Sequence, residues 1–202
     1  MKQCYSVFPK ENTGWDITAT VSQDIDSTKE LYSMVDKNNA LLFNLTLKKI
    51  RATKKGLEYS SDISQFSDSW LDMVINDFAI PLFSENLKKF FDKNIENNDY
   101  LKWITIKING NNCTKTYYAP EFTRKLDVLN IEKCTLNEDD GSIIVPCFSY
   151  KKIQKYVIFQ EFDGEEYLWK IPSCVTVSGE TRDKLIANKF SGIEFEKIRT
   201  SE

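Results

Sequence analysis

The chain has 202 residues, of which 41% are hydrophobic, 13% aromatic and 28% charged, the balance of an ordinary globular protein and not of a disordered one. Its 27 Lys and Arg against 30 Asp and Glu give a net charge of −3, without the basic excess of a dedicated nucleic-acid binder. There is no histidine, which excludes Ser-His-Asp and Cys-His catalysis, a histidine general base and the zinc sites that use imidazole.

A chain of this length buries enough apolar surface to fold without a metal or a disulfide. Cysteines at 4, 113, 134, 147 and 174 form an odd, scattered set with no C-x-x-C spacing, and predict reduced thiols. Cys113, Cys147 and Cys174 sit in apolar or strand-like surroundings, where a thiol packs as a small hydrophobe. No apolar run approaches the roughly 20 residues of a membrane span. Met1 to Pro9 holds one lysine with no long apolar stretch behind it, so the expectation is a cytoplasmic protein without a signal peptide.

The first clear element starts at Ser27-Thr28-Lys29-Glu30, a capping-box pattern in which the serine accepts from a backbone amide while the glutamate reaches back. Leu31, Met34 and Val35 follow at helical spacing, and Lys37-Asn38-Asn39 closes the run. Ala40 to Leu47 alternates in its second half, as a half-buried strand does. The basic run Lys48-Lys49-Ile50-Arg51-Ala52-Thr53-Lys54-Lys55 continues that strand into a solvated loop; contact with phosphate or an acidic partner is the other reading. The polar stretch 59–69 then predicts a connection between an N-terminal section, 1–58, and a main body, 70–202, within a single domain spanning 1–202.

In the main body, Ile80-Pro81-Leu82-Phe83 leads to Ser84 and a helix carried by Leu87, Phe90 and Phe91. Asn97-Asn98-Asp99 breaks that helix, and Trp103 to Ile108 alternates as a strand. The same order closes the chain: Cys174 to Val177, the cap Ser178, Leu185 and Ile186 at helical spacing, then Ile193 to Ile198 with period two. The recurrence is either a common local arrangement or an internal duplication, and the sequence leaves both open. Between these units, Asn109-Gly110, Asp140-Gly141 and Asp163-Gly164 are hairpin dipeptides. The apolar runs Ile143 to Val145, Tyr156 to Phe159 and Tyr167 to Ile171 lie beside the last two. The predicted class is α+β: mainly antiparallel sheet with about three short capped helices and a repeated strand-helix-strand unit.

No glycine loop for phosphate and no G-x-S-x-G elbow is present. Glu138, Asp139 and Asp140 lack the oxygen-ligand spacing of a calcium loop and read as a solvated turn. No spacing singles out a carboxylate pair. Cys174 precedes a predicted helix by four residues but lies in an apolar strand pattern. No catalytic, cofactor-binding or metal-binding residue is therefore assigned, and the chain is expected not to be an enzyme. The acidic segment Glu161-Phe162-Asp163-Gly164-Glu165-Glu166 places an aromatic among like charges on a predicted hairpin tip, suited to a basic partner or simply to solubility.

From about Asp77 to Ile198 the chain resembles bacterial immunity-protein domains found beside polymorphic toxins, a set that includes many α+β proteins. The likeness is carried by Pro81-Leu82-Phe83-Ser84-Glu85-Asn86-Leu87, by Leu168-Trp169-Lys170-Ile171-Pro172, and by Val177-Ser178 through Ser191-Gly192-Ile193-Glu194-Phe195-Glu196-Lys197-Ile198. These motifs are caps and strands and match no catalytic pattern. The resemblance implies a protein that binds and neutralises a cognate toxin made by the same cell, without a cofactor. It carries over no contact residue. Under it, Glu161, Phe162, Asp163, Glu165 and Glu166 are the expected contact, with Phe162 as anchor. The alternatives are a non-catalytic adaptor or assembly subunit, and an enzyme dependent on carboxylates or Cys.

Overall fold

A computed structural model describes residues 2–11, 14–21, 28–64, 70–96, 99–160 and 170–202. In chain order they form β1 (Cys4–Pro9), β2 (Asp16–Thr20), α1 (Thr28–Ser33), β3 (Leu45–Thr53), β4 (Gly56–Ser60), β5 (Ile75–Asn76), β6 (Phe83–Ser84) and α2 (Glu85–Asn94). Next come β7 (Leu101–Gly110), β8 (Cys113–Phe122), a 3-10 turn over Ile131–Lys133, β9 (Thr135–Leu136), β10 (Ile143–Val145) and β11 (Phe148–Ser149). The chain ends with α3 (Tyr150–Ile153), β12 (Ile158–Phe159), β13 (Val175–Ser178), α4 (Gly179–Ala187), β14 (Ile193–Ile198) and β15 (Thr200–Ser201). The class is α+β, as the sequence predicts.

The longest hairpin organises the larger sheet. Ile104, Ile106 and Ile108 of β7 are buried while the residues between them are not, the period of a strand with one face in the core. β7 pairs with β8 from Leu101↔Phe122 to Gly110↔Cys113. The turn differs from expectation: Asn111 (φ 47) and Asn112 (φ 57) occupy its two left-handed positions. Gly110 ends the strand instead, where a Cβ would stand 2.9 Å from the Leu47 side chain of β3. The sheet runs β5-β2-β3-β7-β8-β6, with β4 paired to β3. Strands from both sides of the polar stretch 59–69 thus share one sheet, β3 meeting β7 in parallel through Leu45↔Ile108 and Thr46↔Asn109.

The smaller sheet runs β12-β13-β1-β14 through antiparallel pairs. Two of the predicted strand-helix-strand units have the same topology. β6-α2-β7 encloses β8 between its two strands, and β13-α4-β14 encloses β1. Each helix is capped by the last residue of its leading strand: Ser84 Oγ accepts from Leu87 N, and Ser178 Oγ from Thr181 N, both at 3.2 Å. The region of α1 departs from this plan, because β2 and β3 are direct antiparallel neighbours. The strand predicted from Ala40 begins only at Leu45, since Asp36 holds the chain in a turn by accepting from Asn38 N and Ala40 N at 2.8 and 2.9 Å. Ser27 of the capping box, the Asp163-Gly164 turn and Tyr167 to Trp169 of the predicted strand lie outside the described residues.

Two buried clusters form the core. In one, Val7, Val175, Val177, Ile158 and Phe159 of the smaller sheet meet Leu87 and Phe91 of α2 and Leu185 of α4. In the other, Ile17, Leu45, Leu47, Ile104 and Ile106 of the larger sheet meet Leu31 of α1 and the segment from Val74 to Leu82. Asp72 ties the two units together: its carboxylate accepts from Ser84 Oγ at 2.6 Å and from Ser191 N and Oγ at 2.9 and 3.0 Å.

Candidate partner-binding surface

The residues singled out for partner binding, Glu161, Phe162, Asp163, Glu165 and Glu166, all lie outside the described residues. All five cysteines are free thiols. Burial pushes the Cys4 thiol up to about 11, far from a thiolate at neutral pH. Cys147 is buried as expected, but Cys113 is exposed beside the β7–β8 turn and Cys174 is only half-buried. Cys174 also precedes β13 instead of lying within it. The acids at 138–140 belong to a turn. Asp140 accepts from Ser142 N at 2.9 Å, which holds its carboxyl below the usual range. Among the described residues no group of three or more His, Cys, Asp or Glu is placed to hold a metal.

One buried carboxylate escaped the sequence reading. Glu121 of β8 accepts from Tyr32 Oη at 2.9 Å and from Asn39 Nδ2 at 2.8 Å. Asn39 adopts φ 59 and also donates to Trp103 O at 3.2 Å. The Glu121 charge is thus paid in hydrogen bonds from α1 and the turn after it, which docks that segment on the sheet. No spacing in the sequence points to this trio, because its members lie 82 and 89 residues apart.

The surface that gathers the features of a contact site is the arm formed by β3 and β4. Its register, Arg51↔Glu58 and Thr53↔Gly56 on one face, Ile50↔Tyr59 and Ala52↔Leu57 on the other, gives it two unlike sides. On the first side Lys49 Nζ and the Arg51 guanidinium lie over the Trp15 ring, 5.2 and 4.7 Å from its centroid. Arg51 is held there by Glu58 at 2.6 Å. On the second side Leu57 is 59% and Tyr59 46% exposed. Lys54 and Lys55 form the exposed tip, where Thr53 Oγ1 donates to Gly56 O at 2.9 Å and accepts from Lys55 N at 3.2 Å. The expected solvated loop is therefore a hairpin. Its sequence signs were Lys55-Gly56 and the alternation of Leu57 and Tyr59, masked by the density of lysine.

Two other surfaces are less specific. The β9–β10 hairpin exposes Leu136, Ile144 and Val145 beside its acidic turn. A cleft of about 710 Å³ lies between Phe8, Glu194 and Glu196 on β1 and β14 and Ile75, Ala79 and Ile80 in and after β5. A family model described as an immunity protein family (Imm11) matches residues 45–200. No curated protein and no solved structure matches the chain.

Proposed function

The chain belongs to the Imm11 immunity protein family, and on that premise we propose that it binds and neutralises a cognate protein toxin made in the same bacterial cell. The observation that supports this reading is the span of the family match, 45–200, which runs from the start of β3 into β15 and takes in both capped strand-helix-strand units. Inhibition of this kind needs a complementary surface and no chemistry, so the reading assigns the protein no catalysis and no cofactor. It also places the protein in the cytoplasm, where a toxin made by the same cell is first met. No helix among the described residues is long and apolar enough to cross a membrane.

The acidic segment Glu161, Phe162, Asp163, Glu165 and Glu166 stays in this proposal as one contact, on the strength of its composition. Exchanging Asp163, Glu165 and Glu166 for Lys is expected to slow association with the toxin. An unchanged rate in stopped-flow binding would remove the segment from the contact. The function itself is tested by inducing the toxin gene next to this one, with and without this protein. Growth arrest relieved only when the protein is present supports immunity. A neighbour that stays toxic at equal protein levels contradicts it and favours an adaptor.

A further inference from the structure

We propose that the β3–β4 arm is a second contact surface, which grips an acidic, extended segment of the toxin; the inference rests on the immunity reading. Three observations converge on it. Charge is segregated: residues 48–60 hold five cations, Lys48, Lys49, Arg51, Lys54 and Lys55, against the single acid Glu58, in a chain whose net charge is −3. Asp77 lies within electrostatic reach of Lys48 and Asp62 of Lys49 at the base of the arm, whereas Lys54 and Lys55 are exposed at its tip. Apolar surface is exposed on the same arm. Leu57 and Tyr59 stand beside Ala52 and Ile50 in one stripe, on the face opposite Lys49 and Arg51 and next to the exposed Lys54-Lys55 tip. Finally, among the described residues no strand pairs with the outer edge of β4, which leaves a row of backbone donors and acceptors for an added strand.

Lysines also serve as guards that keep strand edges from sticking to one another. That role accounts for the tip but not for an exposed Leu-Tyr pair on the same strand, nor for the way the arm is braced. Trp15 beneath Lys49 and Arg51, and Glu58 against Arg51, hold it in shape before any partner arrives, which lowers the entropic cost of binding. The same bracing argues against nucleic acid. Lys49 and Arg51 already lie over the Trp15 ring, so the ring does not offer that face for stacking a base. A second copy of the arm would bring five cations against five. An acidic strand satisfies the backbone edge, the apolar stripe and the charge together.

The test compares the full-length protein with two surface variants, Lys54→Glu/Lys55→Glu and Leu57→Ala/Tyr59→Ala, binding the purified product of the neighbouring toxin gene. Thermal melts establish that each variant folds as the wild type does. Charge reversal is expected to slow association on the order of tenfold and to flatten its dependence on salt. Loss of the apolar pair is expected to raise the dissociation rate by at least about tenfold. Wild-type binding with both variants unchanged overturns the inference and leaves the immunity reading intact. A wild type that does not bind the toxin overturns the immunity reading, and the inference with it. Tight binding of a fluorescent single-stranded oligonucleotide, lost in Lys54→Glu/Lys55→Glu, would reassign the arm to nucleic acid.

Discussion

Gly192 lies where the closing turn of the chain meets the segment before β6 at backbone distance. A Cβ there would stand 2.4 Å from Met73 O and 2.8 Å from Leu71 Cβ, and the residue adopts φ +72, which side-chain-bearing residues rarely take. Met73 N donates to Ser191 O at 3.2 Å, so the two segments cannot part without losing hydrogen bonds, including those to Asp72. Gly192→Ala is expected to lower stability by about 1–3 kcal/mol. Urea denaturation would show this as an earlier midpoint with an unchanged slope. Wild-type stability in that variant would mean that the contact yields freely. Ser191-Gly192 stood out in the sequence as a local pattern, but its partner did not. Asp72 is 119 residues away, and nothing in the spacing of a chain records a carboxylate that caps at such range.

At the scale of elements, what was legible is what is local. The helices α2 and α4 follow from a serine ahead of apolar residues at helical spacing, and both caps form as the sequence implies. α3 was missed because it has only four residues and its Ser149 makes no side-chain cap. Asn109-Gly110 was the wrong turn because a dipeptide preference carries no register. The approach of Leu47 from β3 fixed Gly110 in the strand and moved the turn to Asn111-Asn112. Ser178→Ala is expected to cost about 1 kcal/mol through the lost cap. Ser84→Ala should cost more, because its hydroxyl also donates to the Asp72 carboxylate at 2.6 Å, whereas the second partner of Ser178 is the neutral Thr181 hydroxyl at 3.1 Å. Chemical denaturation of the two variants gives the order directly. Equal losses would show that the Ser84–Asp72 bond adds nothing to the cap.

At the scale of the molecule, the sequence pointed to a class of function before it pointed to a surface. A resemblance carried by Pro81 to Leu87, Leu168 to Pro172 and Val177 to Ile198 led to an immunity protein, and the lack of histidine and of a catalytic motif fits it. The family match over 45–200 places the chain in such a family. The contact was harder to read, because a surface is assembled from segments that only folding brings together. Trp15 precedes β2, yet its ring lies under cations on β3, in an arm whose sequence suggested a strand running out into a solvated loop. The account predicts a protein that acts by occupying its toxin, with a rigid basic arm among the contacts. The most direct measurement is calorimetric titration of this protein into the purified neighbouring toxin, with the toxin's own activity followed in parallel. One-to-one binding, with activity falling to nothing at equivalence, is the predicted result. No heat and an undiminished toxin would contradict it.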